Sequence, residues 1–235
     1  MLEVLGLQGG YGGTQVLWDV DLLVGKGEAV ALLGRNGVGK TTLLRTLVGL
    51  GRAWAGRIRY FGRDVLHLPA HHRARLGLGY VPQGRVILPF LTVEENLRLA
   101  LAALAGRVHP KAQEVPSYIY DLFPALRELR DRKGGSLSGG QQQQLAIARA
   151  LVTKPEILLL DEPTEGIQPS IVEKIQDSLV WIRRELGIGL LVVEQNLDFV
   201  WGFAQRFYVM DRGRIVMQGN TSETNPEIVA QMVSL

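Results

Sequence analysis

The sequence predicts an α/β fold built on a mostly parallel sheet, and three features point to it. Strand-like and helix-like segments alternate through the second half of the chain. The strands "EILLLD" and "GLLVVEQ" are continuously apolar rather than alternating, the pattern of a strand buried on both faces under covering helices. A third compact strand, "EAVALL" (28–33), runs into a glycine loop and then a helix-like stretch, "TTLLRTLVGL".

Each element has its own signal. Up to about Gly27 the chain reads as short strands, because "QVLWDVDLLV" alternates and is then broken by Gly25 and Gly27. From about Gly84 to Lys133 the character changes to helical spacing in "TVEENLRLALAALAG" and "VPSYIYDLFPALRELRDRK", read as a helical subdomain (84–134) inserted into a single domain (1–235). Thr92 stands three residues before Glu95 as a capping box, while Pro110 and Pro116 punctuate the segment. The helix "QQQQLAIARALV" follows, with glutamines 141–144 expected on its surface and Leu145, Ala148, Leu151 and Val152 on its apolar face. A further helix spans about 170–186, and "RFYVMDRGRIVMQG" closes the chain as a hairpin turning at 211–213.

Bulk properties narrow the class. At 235 residues, 46% of them hydrophobic, the chain can bury a core, and no apolar run approaches the ~18–20 residues that span a bilayer. The start, "MLEVLGLQGGYGG", has no signal-peptide pattern, and the absence of cysteine rules out disulfides. A net charge of +3 is small for this length; the clusters "HHRAR" and "RELRDRK" are read as solvated helix faces rather than a nucleic-acid footprint.

The chemistry is carried by three motifs. "GRNGVGKTT" (Gly34, Arg35, Asn36, Gly37, Val38, Gly39, Lys40, Thr41, Thr42) fits G-x-x-x-x-G-K-[ST] between a strand and a helix. Its glycines let backbone N–H groups face an anion, Lys40 can reach β- and γ-phosphates, and the Thr41 hydroxyl can ligate Mg²⁺. In "ILLLDEP" the strand ends on Asp161, placed to hold Mg²⁺, and Glu162, placed to polarise an attacking water. In "SLSGGQ", Ser138, Gly139, Gly140 and Gln141 open a helix whose positive end can face an anion.

Leu137 to Gln141 reads LSGGQ, and with the phosphate loop before it and "LLLDEPT" after it the chain resembles the ATP-binding cassette (ABC) ATPases over nearly its whole length. That resemblance implies a P-loop NTPase core of RecA-like type with an N-terminal antiparallel β subdomain and an inserted helical subdomain, with ATP and Mg²⁺ as cofactors. It places Tyr11 against adenine and Gln83, in "YVPQGR", near Mg²⁺ and the attacking water. It implies a head-to-tail dimer with a second cassette, either a second copy or a paralogue, in which Ser138 contacts the nucleotide of the other chain. Separate membrane permease subunits, an extracytoplasmic solute-binding protein acting indirectly, and a position on the cytoplasmic face of the cell membrane complete the expectation.

The segments "VPQGRVILPFLTVEENL" and "DEPTEGIQPSIV" are most similar to cassettes of importers for branched-chain amino acids, amides and urea, the urea type above all. Two positions depart from the general pattern: Gln168 stands for the usual aspartate and Gln195 for the usual switch histidine, as they do in that group. A glutamine can position a phosphate or water by hydrogen bonds but cannot carry a proton near neutral pH, so base character is expected of Glu162. A cassette acting on nucleic acid or ribosomes would carry two cassettes or a long coiled coil. A kinase or GTPase would have no use for LSGGQ, and the chain has no N-K-x-D element.

Overall fold

In a computed structural model describing residues 1–102 and 114–234, the strands form two sheets. The first is antiparallel, in the order β2 (Thr14–Val24), β1 (Leu2–Tyr11), β4 (Arg52–Tyr60), β5 (Arg63–Asp64). Its first two strands are 10 and 11 residues long and bulged, not the short strands expected, and β4 joins them from beyond the expected segment. The second sheet runs β10 (Arg214–Asn220), β9 (Arg206–Asp211), β3 (Ala29–Leu33), β8 (Gly189–Glu194), β7 (Ile157–Asp161), β6 (Leu78–Val81). All its pairs are parallel except β9–β10, the hairpin expected around 211–213.

Continuous apolarity of the central strands has the predicted cause. In β3, Ala29, Ala31 and Leu33 enter one core while Val30 and Leu32 enter the other; β8 and β7 divide the same way. The first core is closed by α6 (Gly139–Leu151), α7 (Pro169–Glu185) and α8 (Leu197–Phe203); the second by α1 (Lys40–Val48) and the antiparallel sheet. Leu145, Ala148, Leu151 and Val152 are fully buried, as their spacing predicts. Among the described residues the remaining α-helices are α2 (Ala70–Arg75), α3 (Val93–Ala102), α4 (Ser117–Leu122), α5 (Pro124–Glu128) and α9 (Pro226–Ser234).

The capping box at α3 forms: the Thr92 N–H donates to Glu95 Oε2 (2.7 Å) and the Glu95 N–H to Thr92 Oγ1 (3.1 Å). Helix starts only at Val93, however, so residues 84–92 at the head of the expected helical segment are a loop. The run expected beyond Ala102, with its break at Pro110, lies outside the described residues.

Two surface readings are corrected. Glutamines 143 and 144 are buried in α6 rather than displayed on it. In "HHRAR", Arg73 is 4% exposed and its guanidinium donates to the carbonyls of Leu66, Leu68, Thr46 and Leu47 at 2.7–2.8 Å. It thereby caps the C-terminal carbonyls of α1, where cations are favoured. Arg73→Met should leave those carbonyls unsatisfied and cost about 3 kcal/mol. A fall of roughly 6–12 °C in Tm, measured by thermal denaturation, is the expected outcome.

Candidate active site

The parallel register brings four chain exits to one edge. Leu33 of β3 lies opposite Glu194 of β8, Val193 opposite Asp161 of β7, and Leu160 opposite Val81 of β6. The segments leaving these carboxyl ends carry the phosphate loop, Glu162, Gln195 and Gln83, and ligands of open parallel sheets bind at such edges. A cleft of about 520 Å³ opens there, lined by Tyr11, Asn36, Gly37, Gly39, Lys40, Thr41, Thr42, Arg45, Gln83 and Glu162.

The phosphate loop is held from behind by the β9–β10 turn: the Gly213 N–H donates to the Val38 carbonyl at 2.7 Å. At Gly34 (φ 150°) a Cβ would stand 2.4 Å from the Met210 carbonyl, so the loop can pass this close to β9 only with glycine there. Lys40 is 4% exposed, with Nζ donating to the Gly34 and Arg35 carbonyls (2.7 and 2.8 Å) and 3.7 Å from Glu162 Oε1. Burial lowers its pKa, and Glu162 and Asp161 oppose that shift. Arg35 and Val38 act through backbone carbonyls and are not part of the cleft lining.

Thr41 Oγ1 donates to Asp161 Oδ1 at 3.1 Å, and the Tyr80 hydroxyl donates to Asp161 Oδ2 at 3.3 Å. Burial raises the Asp161 pKa, partly offset by the Thr41 bond. A hydroxyl and a carboxylate this close are hard oxygen donors of the kind Mg²⁺ takes beside phosphate oxygens and water. Among the described residues no group of three or more histidines or acids could hold a metal ion.

Glu162 is the hub of the remaining contacts. Its φ of 47° is left-handed, a conformation that costs a non-glycine residue of order 1–3 kcal/mol and recurs at functional sites. Its Oε2 accepts from Gln83 Nε2 (3.1 Å) and its Oε1 from Gln195 Nε2 (3.0 Å), while Gln195 Nε2 also donates to Asn36 Oδ1 (2.7 Å). Gln83 Nε2 bonds Glu165 Oε2 as well (3.0 Å), so its amide faces the acids after β7 rather than the Thr41–Asp161 pair.

Ser138, Gly139, Gly140 and Gln141 do not line this cleft. Ser138 caps α6: its Oγ accepts from the Gln141 N–H (3.4 Å) and its N–H donates to Gln141 Oε1 (2.9 Å). Gln168, in the usual aspartate's place, is the N-cap of α7 without a side-chain cap bond. Several contributors escaped the sequence reading. Arg45 lines the cleft beside Tyr11, whose hydroxyl with that of Tyr80 raises the pKa of the guanidinium. Tyr80, Thr164, Glu165 and Glu194 bind or frame the acids. Only Glu194 had a signal, as an acid ending an apolar strand.

A chain whose strand-edge cleft is framed by a phosphate loop and two following acids has the architecture of a P-loop NTPase. The comparisons sharpen that class. Residues 17–165 match the family model for the ABC transporter, and the chain belongs to that family. It is 44% identical to the "High-affinity branched-chain amino acid transport ATP-binding protein BraG" of Pseudomonas aeruginosa, over 93% of each chain. To the "Lipopolysaccharide export system ATP-binding protein LptB" of Acidithiobacillus ferridurans it is 37% identical, over 100% of this chain and 96% of that one. Among solved structures, a dimeric ATP-binding cassette in a post-hydrolysis state with ADP and Pi superposes with a TM-score of 0.83 at 25% identity, over 94% of this chain and 99% of that one. The chain is an ABC ATPase.

The second glycine of the signature is a packing residue: a Cβ on Gly140 would lie 2.7 Å from Ile171 Cγ2 of α7. Gly140→Ala should therefore overpack the α6–α7 contact by about 1–3 kcal/mol. Ile171→Ala in the same chain should recover part of that loss, read as the midpoint of urea unfolding.

Proposed function

We propose that this ATPase energises an ABC importer for branched-chain amino acids or the related amides and urea, acting from the cytoplasmic face on separate permease subunits. The observation that carries the hydrolytic part is the Glu162 hub, which gathers Gln83, Gln195 and Lys40 around one carboxylate. In this reading the N–H groups of residues 34–42 and Lys40 would cradle the phosphates, Tyr11 would stack on adenine, and Thr41 and Asp161 would hold Mg²⁺, while Gln83, whose amide is turned to Glu162 and Glu165, serves the water rather than the ion. The bound ion would neutralise charge on the phosphate oxygens. Glu162 accepts the proton of the attacking water, and Gln195 and Gln83 orient that water.

Ser138, Gly139, Gly140 and Gln141 then serve the nucleotide of a second cassette, a reading supported by their position outside their own chain's cleft and by the dimeric solved relative. Similarity to a protein named for branched-chain amino acid transport supports the cargo class. No helix among the described residues is long and apolar enough to cross a membrane, so spanning is assigned to the permeases. A groove of about 360 Å³ lined by Leu50, Ala74, Pro82, Val86 and Ala100, with Arg73, Arg85 and Arg149 also on its walls, offers them a mixed apolar and basic seat, since Leu50 and Val86 are 63% and 62% exposed. A solute-binding protein would act on the far side of those permeases.

Steady-state Mg²⁺-ATP turnover tests the hydrolytic assignment. Glu162→Gln should bind ATP yet lose at least ~100-fold in kcat. In a strain lacking the gene, the wild-type chain should restore leucine or urea uptake and Glu162→Gln should not; restored export with neither uptake would overturn the importer reading. Leu50→Asp should leave the isolated chain's turnover unchanged while reducing its co-purification with the permeases.

A further inference from the structure

Outside the cleft, Glu194 is a buried carboxylate with an unusual set of partners. It ends β8, is 4% exposed, and does not line the nucleotide cleft. Its Oε1 accepts from the Thr164 N–H (3.0 Å) and the Thr164 hydroxyl (2.6 Å). Its Oε2 accepts from the Gln195 N–H (3.0 Å) and, at 3.5 Å, from the Asn196 N–H. Burial raises its pKa, and these four bonds oppose the shift.

The two oxygens divide between two loops. Thr164 sits two residues after Glu162 on the segment leaving β7; Gln195 and Asn196 form the turn leaving β8. We propose that Glu194 is a positioning residue: it staples these loops together and thereby sets the 3.0 Å contact between Glu162 and Gln195. The inference rests on the hydrolytic reading of Glu162 and deepens it.

Chemistry explains why a carboxylate stands there. A carboxylate presents about four lone-pair sites and no donor, which matches four donors arriving from two sides. A glutamine in its place could satisfy Thr164 with its oxygen but would turn an N–H₂ toward the N–H groups of Gln195 and Asn196. An aspartate is one methylene too short to reach both loops. The left-handed backbone at Glu162 makes such a tie useful, because a strained residue holds its conformation only when its surroundings over-determine it.

Glu194→Gln and Glu194→Ala would be compared with wild type by ATP turnover, ATP binding and amide hydrogen exchange. Glu194→Gln should lower kcat by roughly 10-fold and Glu194→Ala by roughly 100-fold, with the Kd for ATP moving by no more than about threefold. Exchange in peptides covering 162–166 and 194–197 should quicken in both variants while that of β3 and α1 stays as in wild type. Placed on Gln195→Ala, Glu194→Ala should cost far less than it does alone, since both act on one contact. Unchanged kcat and unchanged exchange in Glu194→Gln would overturn the proposal. So would full additivity with Gln195→Ala. A wild-type chain without turnover would refute the hydrolytic reading separately; the staple would then stand or fall on the exchange data.

Discussion

A strand that is dry on both faces can give up polar chemistry only at its ends. In the central sheet, β3, β7 and β8 are buried at every position, and their register aligns their carboxyl ends within a residue of one another. Hydrophobic burial on the two faces fixes that register, because a slip of one residue would exchange the side chains of the two cores. The site's geometry is therefore inherited from the core. The phosphate loop, the acids after β7 and the turn after β8 meet because the strands beneath them cannot slide.

How much of this was legible depended on whether a residue's partner lay nearby in the chain. The phosphate loop, Asp161, Glu162 and the Thr92–Glu95 capping box are local patterns, each defined by spacing within a few residues, and they stood in the sequence as they stand in the fold. Arg73 was not legible, because two of its four carbonyl partners belong to α1, 26 and 27 positions away, and a helical wheel cannot show them. The buried pair Gln143 and Gln144 misled for a related reason: polarity marks a surface position only when no other element covers it, and here α6 is covered by neighbouring helices. Glu194 lay in plain view at the end of an apolar strand, but its meaning depends on Thr164, 30 positions away.

The electrostatics of the edge follow from what is gathered there. Asp161 and Glu194 are nearly fully buried and Glu162 stands beside them, while Lys40 is the cation buried among them. Lys40 and Asp161 pull on one another's protonation in opposite senses, burial disfavouring each charge and the opposite charge restoring it. In this structure Lys40 bonds two phosphate-loop carbonyls, so its charge is stored close to where phosphate oxygens would arrive.

Glutamine at position 195 fits this arrangement in a way that a histidine would alter. Both acceptors of its Nε2, Asn36 Oδ1 and Glu162 Oε1, lie within 3.0 Å, so its two amide hydrogens are committed and the opposite flip would set oxygen against oxygen. A histidine there could gain a proton as pH fell and add a second cation beside Glu162. Glutamine adds no titrating charge to the edge in the neutral range. The orientation of position 195 then depends on hydrogen-bond geometry alone, so the loops that carry its acceptors must be held more firmly than a titrating residue would require.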